Sequence, residues 1–198
     1  MKHSALILSL GILLVASPSL ATPDKSDAST GTAIGQRLPQ FTAQLTDVSS
    51  GKPKTTELDS HKTTRPTVYI FVGTHCPATA AYAARLTQLE KTYGPKGVDF
   101  IYLYPNREDT SAVQQAFHEE KHFTGRLIDD HGARLANLFN AQRTSELFLV
   151  NKSGTIVYHG AIDDSRDPSA VKERYLATAL DELLAGKPIT TAQSTVFA

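Results

Sequence analysis

Cysteine is almost absent from this chain of 198 residues, and Cys76 is the only one. An internal disulfide is excluded, and so is any pair of thiols that closes on itself. Charge of one sign is also lacking: 20 basic and 20 acidic side chains balance, so no overall field draws in nucleic acid or an anionic membrane. Nor is there a long hydrophobic run. The apolar stretch Ala5–Ala16 falls well short of the roughly 20 residues that span a bilayer, so no stable membrane anchor is expected. Glycine-rich phosphate loops, Ser-His-Asp signatures and basic-aromatic patches are missing too, and no residue pattern calls for a cofactor.

What is present begins with a processing signal. Lys2 and His3 precede the apolar stretch, and Ser19-Leu20-Ala21 places small residues where an export peptidase reads them. Residues 1–21 are read as a signal peptide, which predicts export to a periplasm or the outside. No cysteine stands at the cleavage site to accept a lipid. Residues 22–35, rich in Ser, Thr, Asp and Gly, are read as a flexible leader. Residues 36–198 then form one domain, for which 40% apolar composition suffices to build a core.

Short strands alternate with helices along that domain. Strands are predicted at Phe41–Leu45, Thr67–Val72, Val98–Tyr104 and around Leu127, and a hairpin joins Glu146–Val150 to Thr155–Tyr158. A helix after Cys76 places Tyr82, Leu86, Leu89 and Tyr93 on one face and ends at Gly94-Pro95. A second, Thr110–His122, is expected to turn Val113, Ala116 and Phe117 inward. Leu135, Leu138 and Phe139 mark a short one, and Val171, Tyr175, Leu176, Leu180 and Leu183 a last one that stops at Gly186. A β-α-β unit followed by a hairpin and a closing helix implies an α/β fold with a mixed sheet covered on both faces.

Cys76 falls where the Thr67–Val72 strand hands over to a helix, and Pro77 suits the first helical position. A helix N-terminus carries about half a positive charge and unpaired N–H groups, which favour a thiolate. A reactive thiol and a buried structural cysteine are both open readings. His75 beside it invites a copper site, but a single thiol is a poor soft-metal ligand set. His118-Glu119-Glu120-Lys121-His122 matches a zinc motif literally. Both histidines are expected on the Gln114 and Gln115 side of the helix, in solvent, and no third ligand is marked. No metal site is therefore expected. Asp129-Asp130 and Asp163-Asp164 read as turn and cap residues.

Taken in order, these residues resemble the thioredoxin fold. They are more closely similar to exported redoxin-domain proteins of the alkyl hydroperoxide reductase and thiol-specific antioxidant group. The resemblance rests on Cys76-Pro77, Asn106, Asp129 after Leu127-Ile128, Gly160-Ala161-Ile162-Asp163-Asp164 and Leu183-Leu184-Ala185-Gly186-Lys187-Pro188, and runs from about Gly35 to Thr195. It implies a single-cysteine thiol redox protein that reduces a peroxide or exchanges with a disulfide. An external thiol or thioredoxin-like reductant would restore it. The implied site is Cys76 with Thr74, His75, Thr79 and Arg143.

The chain departs from that pattern at four places. Thr79 occupies the position of the second cysteine of a Cys-x-x-Cys motif. Gly73 stands where peroxiredoxins have a threonine or serine, and Thr74 is one residue too close to the cysteine. Ser145 stands where thioredoxin-like proteins have a cis-proline, so the Thr144–Ser145 peptide is predicted to be trans. The chain ends without the Gly-Cys pair seen in exported relatives. These losses keep a second reading open, a non-catalytic binding module on the same fold.

Overall fold

A computed structural model describes residues 32–196. The expected signal peptide, and the leader up to residue 31, lie outside the described residues. Thr32–Gly35 do not behave as a leader, since they are fastened to the body. The Thr32 hydroxyl donates to the Phe139 carbonyl at 2.6 Å, and the Gly35 amide donates to the Ile156 carbonyl at 2.8 Å.

Seven strands form one sheet: β1 (Thr42–Asp47), β2 (Lys54–Asp59), β3 (Thr67–Phe71), β4 (Asp99–Tyr104), β5 (Arg126–Asp129), β6 (Leu147–Val150) and β7 (Ile156–Gly160). Their spatial order is β2-β1-β5-β4-β3-β6-β7. The centre is parallel, with Thr67 opposite Asp99 and Ile101 opposite Arg126. The flanks are antiparallel: β6 lies beside β3 with Ile70 opposite Leu147, and β7 beside β6. The helices are α1 (Pro77–Tyr93), α2 (Ser111–Glu120), α3 (Arg134–Phe139) and α4 (Tyr175–Leu184).

Alternation in the strands divides the core into two layers. Val68, Ile70, Phe100, Tyr102 and Leu149 face one side, where Tyr82, Leu86 and Tyr93 of α1, Phe117 of α2 and Leu176 and Leu180 of α4 cover them. Tyr69, Phe71, Ile101, Leu103 and Phe148 face the other, against Phe139 of α3 and Phe41. Phe139 makes edge contacts with Phe41, Phe71 and Phe148 at centroid distances of 5.9, 5.4 and 5.1 Å, the geometry that aromatic quadrupoles favour.

Three elements differ from the sequence reading. The last helix, expected to include Val171, begins only at Tyr175, because Val171 is extended after a 3-10 turn at Pro168–Ala170. β2 was not foreseen: it buries only Leu58 and exists because its backbone pairs with β1 from Thr42–Asp59 to Asp47–Lys54. On α2 the expected inward face is rotated. Val113 is 37% exposed and Ala116 is also exposed, whereas Gln114, Phe117 and His118 are buried. His118 is thus not a solvated helix end. One ring nitrogen meets the Tyr104 hydroxyl at 3.0 Å and the other the Gly125 carbonyl at 2.7 Å, leaving neither for a metal. Burial holds this imidazole well down, at about 4. The Asp130 carboxylate caps the start of α3 through the amides of Leu135 and Ala136, at 2.8 and 2.9 Å, as the turn-and-cap reading expects.

Candidate functional site

The carboxyl ends of the parallel strands β3 and β4 and the entry to the antiparallel β6 lie at one end of the sheet. Three connections therefore meet there: residues 72–76, residues 105–110 and residues 140–146. Crevices outside strand carboxyl ends are where open α/β sheets place ligands.

Cys76 caps α1 in an extended conformation (φ −82°, ψ 121°), and Pro77 follows at the first helical position. The sulfur is half-buried, and Sγ lies 2.8 Å from the Thr144 hydroxyl. Burial pushes the thiol up. Hydrogen bonding from the Thr144 hydroxyl, from the amides of Thr79 and Ala78 and from the Thr79 hydroxyl outweighs it, so the thiol falls below its ordinary value. Thr79 is fully buried, and its oxygen accepts the Gly73 amide at 3.3 Å. Its own hydrogen is thereby free for the sulfur.

A second wall is built on Asp109, which has no exposed surface. Its carboxylate accepts the Thr74 amide at 3.2 Å, the Asn106 side-chain amide at 3.0 Å and the Thr74 hydroxyl. The Thr74 hydroxyl also lies 2.9 Å from His75 Nδ1, and that nitrogen is 3.6 Å from the Asp109 carboxylate. The His75 ring itself projects into solvent, with 76% of its side chain exposed. Gly73 is required by close approach, because a Cβ there would sit 2.6 Å from Asn106 Nδ2.

The structure thus gathers Cys76, Thr74, His75 and Thr79. Arg143 goes elsewhere: it is exposed, and its guanidinium reaches the Val196 carbonyl at 3.4 Å. Its neighbour Thr144 makes the contact with sulfur instead. Thr144 and Asp109 were missed by sequence reasoning. A register of the α3–β6 loop one residue finer would have found Thr144, whereas nothing local marks Asp109, which arrives from the next crossover.

Ser145 shows how the loop dispenses with proline. The peptide before it is trans, since the described residues contain no cis bond, and its φ is +64°. Its amide donates to the Phe71 carbonyl at 2.6 Å, and the Phe71 amide returns a bond to the Glu146 carbonyl at 2.9 Å. A proline could make neither that φ nor that donation. Away from the site, buried Asp163 pairs with the Arg85 guanidinium, which also donates to the carbonyls of Ser165 at 2.7 Å and Arg166 at 2.8 Å. This tie locks the segment after β7 onto α1.

Comparison with known proteins agrees with this architecture. An uncharacterized conserved protein from Geobacillus kaustophilus superposes with a TM-score of 0.72 at 26% identity, over 83% of this chain and 89% of that one. A secreted disulfide oxidoreductase from Mycobacterium tuberculosis gives 0.50 at 20% identity, over 74% and 92%. The thioredoxin domain of a thiol-disulfide oxidoreductase from Bacteroides vulgatus gives 0.53 at 15% identity, over 64% and 87%. No curated protein sequence matches the chain significantly. The Redoxin family model matches residues 33–176, a span that includes β1 to β7, all three connections around Cys76 and the start of α4. With strand order, cysteine placement and sequence model in agreement, the fold is thioredoxin-like and the chain belongs to the Redoxin family.

Proposed function

We propose that this chain is an exported thiol redox protein whose single thiolate, Cys76, attacks a peroxide or a disulfide. The observation that carries the reading is the sulfur at the N-terminus of α1, 2.8 Å from a hydroxyl that can donate to it. With a peroxide, the thiolate bonds to one oxygen, the O–O bond breaks, and the other oxygen leaves with a proton as water or an alcohol. The sulfur becomes a sulfenic acid. An external thiol then attacks that sulfur, releasing water and forming a mixed disulfide. A second external thiol attacks the external sulfur of that disulfide and returns Cys76 as thiolate. With a disulfide substrate, attack gives the mixed disulfide directly. Thr144 and Thr79 stabilise the thiolate, and Thr74 and His75, braced on Asp109, shape the rim. Arg143 contributes its backbone rather than its charge.

Mature protein given hydrogen peroxide should gain one oxygen, and with a small thiol present it should gain one mixed disulfide, both seen by intact mass. Cys76→Ser should do neither while keeping its fold. The reference is a free small thiol corrected for thiolate fraction. If Cys76 reacts no faster with peroxide or disulfide, the enzyme reading fails and a thioredoxin-fold binding module replaces it. Export is tested by N-terminal sequencing of secreted material: a start at Thr22 supports it, and recovery of Met1 overturns it.

A further inference from the structure

Glu146 follows Ser145 and is buried, 5% exposed, between the site loop and β7. Oε2 accepts the backbone amides of Gln142 at 2.7 Å and Arg143 at 3.0 Å. Oε1 meets His159 Nε2 at 2.6 Å. His159 is itself fixed twice. Its ring stacks flat on Phe148, with centroids 4.2 Å apart and planes 7° apart. Its backbone is paired with the C-terminal segment, the amide donating to the Ala192 carbonyl at 3.0 Å and the carbonyl accepting the Ser194 amide at 3.2 Å.

Thr144 stands between two sets of anchored amides. Those of Gln142 and Arg143 are held by the Glu146 carboxylate, and that of Ser145 is held by Phe71. Its side chain is the one that reaches the sulfur from this loop. We infer that the Glu146–His159 pair is a positioning device for Thr144, so that a carboxylate that never touches the sulfur sets how acidic Cys76 is. The inference rests on the reading of Cys76 as a reactive thiolate. Burial pushes the Glu146 carboxyl up, but its bonds from His159, Gln142 and Arg143 outweigh that and hold it below the usual range. At neutral pH the anchor is therefore a full carboxylate, and charge-assisted bonds of this kind are about twice as strong as neutral ones.

The test is the pH dependence of Cys76 alkylation in the mature protein. Thr144→Val deletes the donor and should raise the midpoint by about one pH unit, roughly tenfold less thiolate below it. Glu146→Ala should raise it similarly, and the double variant should add nothing further, because both changes break one linkage. Glu146→Gln keeps an oxygen for the two amides and should stay within about threefold of wild type. A folded Glu146→Ala with an unchanged midpoint, or a double variant whose shifts add, overturns the inference. Should Glu146→Ala fail to fold, His159→Phe keeps the stacking on Phe148 and removes only the bond to Oε1. A rise in its midpoint supports the device, and no change overturns it. If the wild-type thiol titrates as a free one, the reading of Cys76 fails and the positioning role falls with it. If wild type is depressed and Glu146→Ala does not alter it, only the positioning role fails.

Discussion

Ser145 is the most discriminating residue to change, because it occupies a proline position by different means. Its φ of +64° costs an L-residue about 1 kcal/mol or more. Its side-chain oxygen is buried and has no hydrogen-bond partner among the described residues, which adds about another 1 kcal/mol. Ser145→Gly removes both costs and gives back about 0.5–1 kcal/mol in unfolded-chain entropy. The net expectation is stabilisation by about 1 kcal/mol, a melting rise of about 2–4 °C for a chain of this size. Ser145→Pro goes the other way. The ring fixes φ near −65° and cannot follow the loop, costing about 3 kcal/mol. The bond from the Ser145 amide to the Phe71 carbonyl is lost as well, for about 1 kcal/mol. The sum of about 4 kcal/mol predicts a fall of about 8–16 °C. Urea denaturation followed by far-UV circular dichroism gives both differences. A proline variant as stable as wild type would refute the argument, because it would mean that the loop can adopt the family's geometry at no cost.

Three further outcomes follow from other parts of the molecule. Gly73→Ala places a Cβ 2.6 Å from Asn106 Nδ2; moving that amide breaks its bond to Asp109, and a urea-measured loss of about 1–2 kcal/mol is expected. Arg85→Ala leaves the Asp163 carboxylate, which burial already pushes up, without its cation; about 3 kcal/mol should be lost, and Arg85→Ala/Asp163→Asn should recover part of it. His118 makes stability depend on pH: the unfolded ring binds a proton below about 6.5 and the buried one only near 4. Its contribution is therefore complete above pH 6.5 and lost as pH falls toward 4, by at most about 3 kcal/mol. His118→Gln should flatten that part of the stability profile.

The elements that the sequence predicts well are those whose side chains alone carry the information. Thr67–Phe71 is buried at every position, and its apolar, β-branched run reads as a central strand. Cys76-Pro77 reads as a helix start because proline tolerates few other helical positions, and α1 buries Tyr82, Leu86 and Tyr93 as their spacing requires. The two buried polar residues of α2 escape the pattern for one reason, that polarity does not by itself mean exposure. Gln114 is buried on α2 because its side-chain amide donates to the Asp109 carbonyl at 2.6 Å, and His118 because both ring nitrogens are satisfied. Neither partner is visible from the helix's own period. β2 fails in the opposite sense, as an edge strand of polar residues held by backbone pairing that no side-chain pattern reports.

The same limit explains why the site was half legible. Cys76, Thr74, His75 and Thr79 lie within one turn of chain, so local grammar places them together. Asp109, Thr144 and Glu146 come from two other connections; the two carboxylates act by accepting backbone amides and Thr144 by its hydroxyl on the Cys76 sulfur, none of them through a recognisable motif. The burial of Asp109 and Glu146 makes their bonds effective, since a hydrogen bond strengthens as water is excluded. A carboxylate in such a place must satisfy its oxygens or cease to be an anion. Asp109 does so with Thr74 and Asn106, and Glu146 with Gln142, Arg143 and His159. Each carboxylate thereby fixes one of the two connections that flank the Cys76 turn. In the proposed mechanism, the acidity of the sulfur depends on how firmly the 140–146 connection holds Thr144 against it.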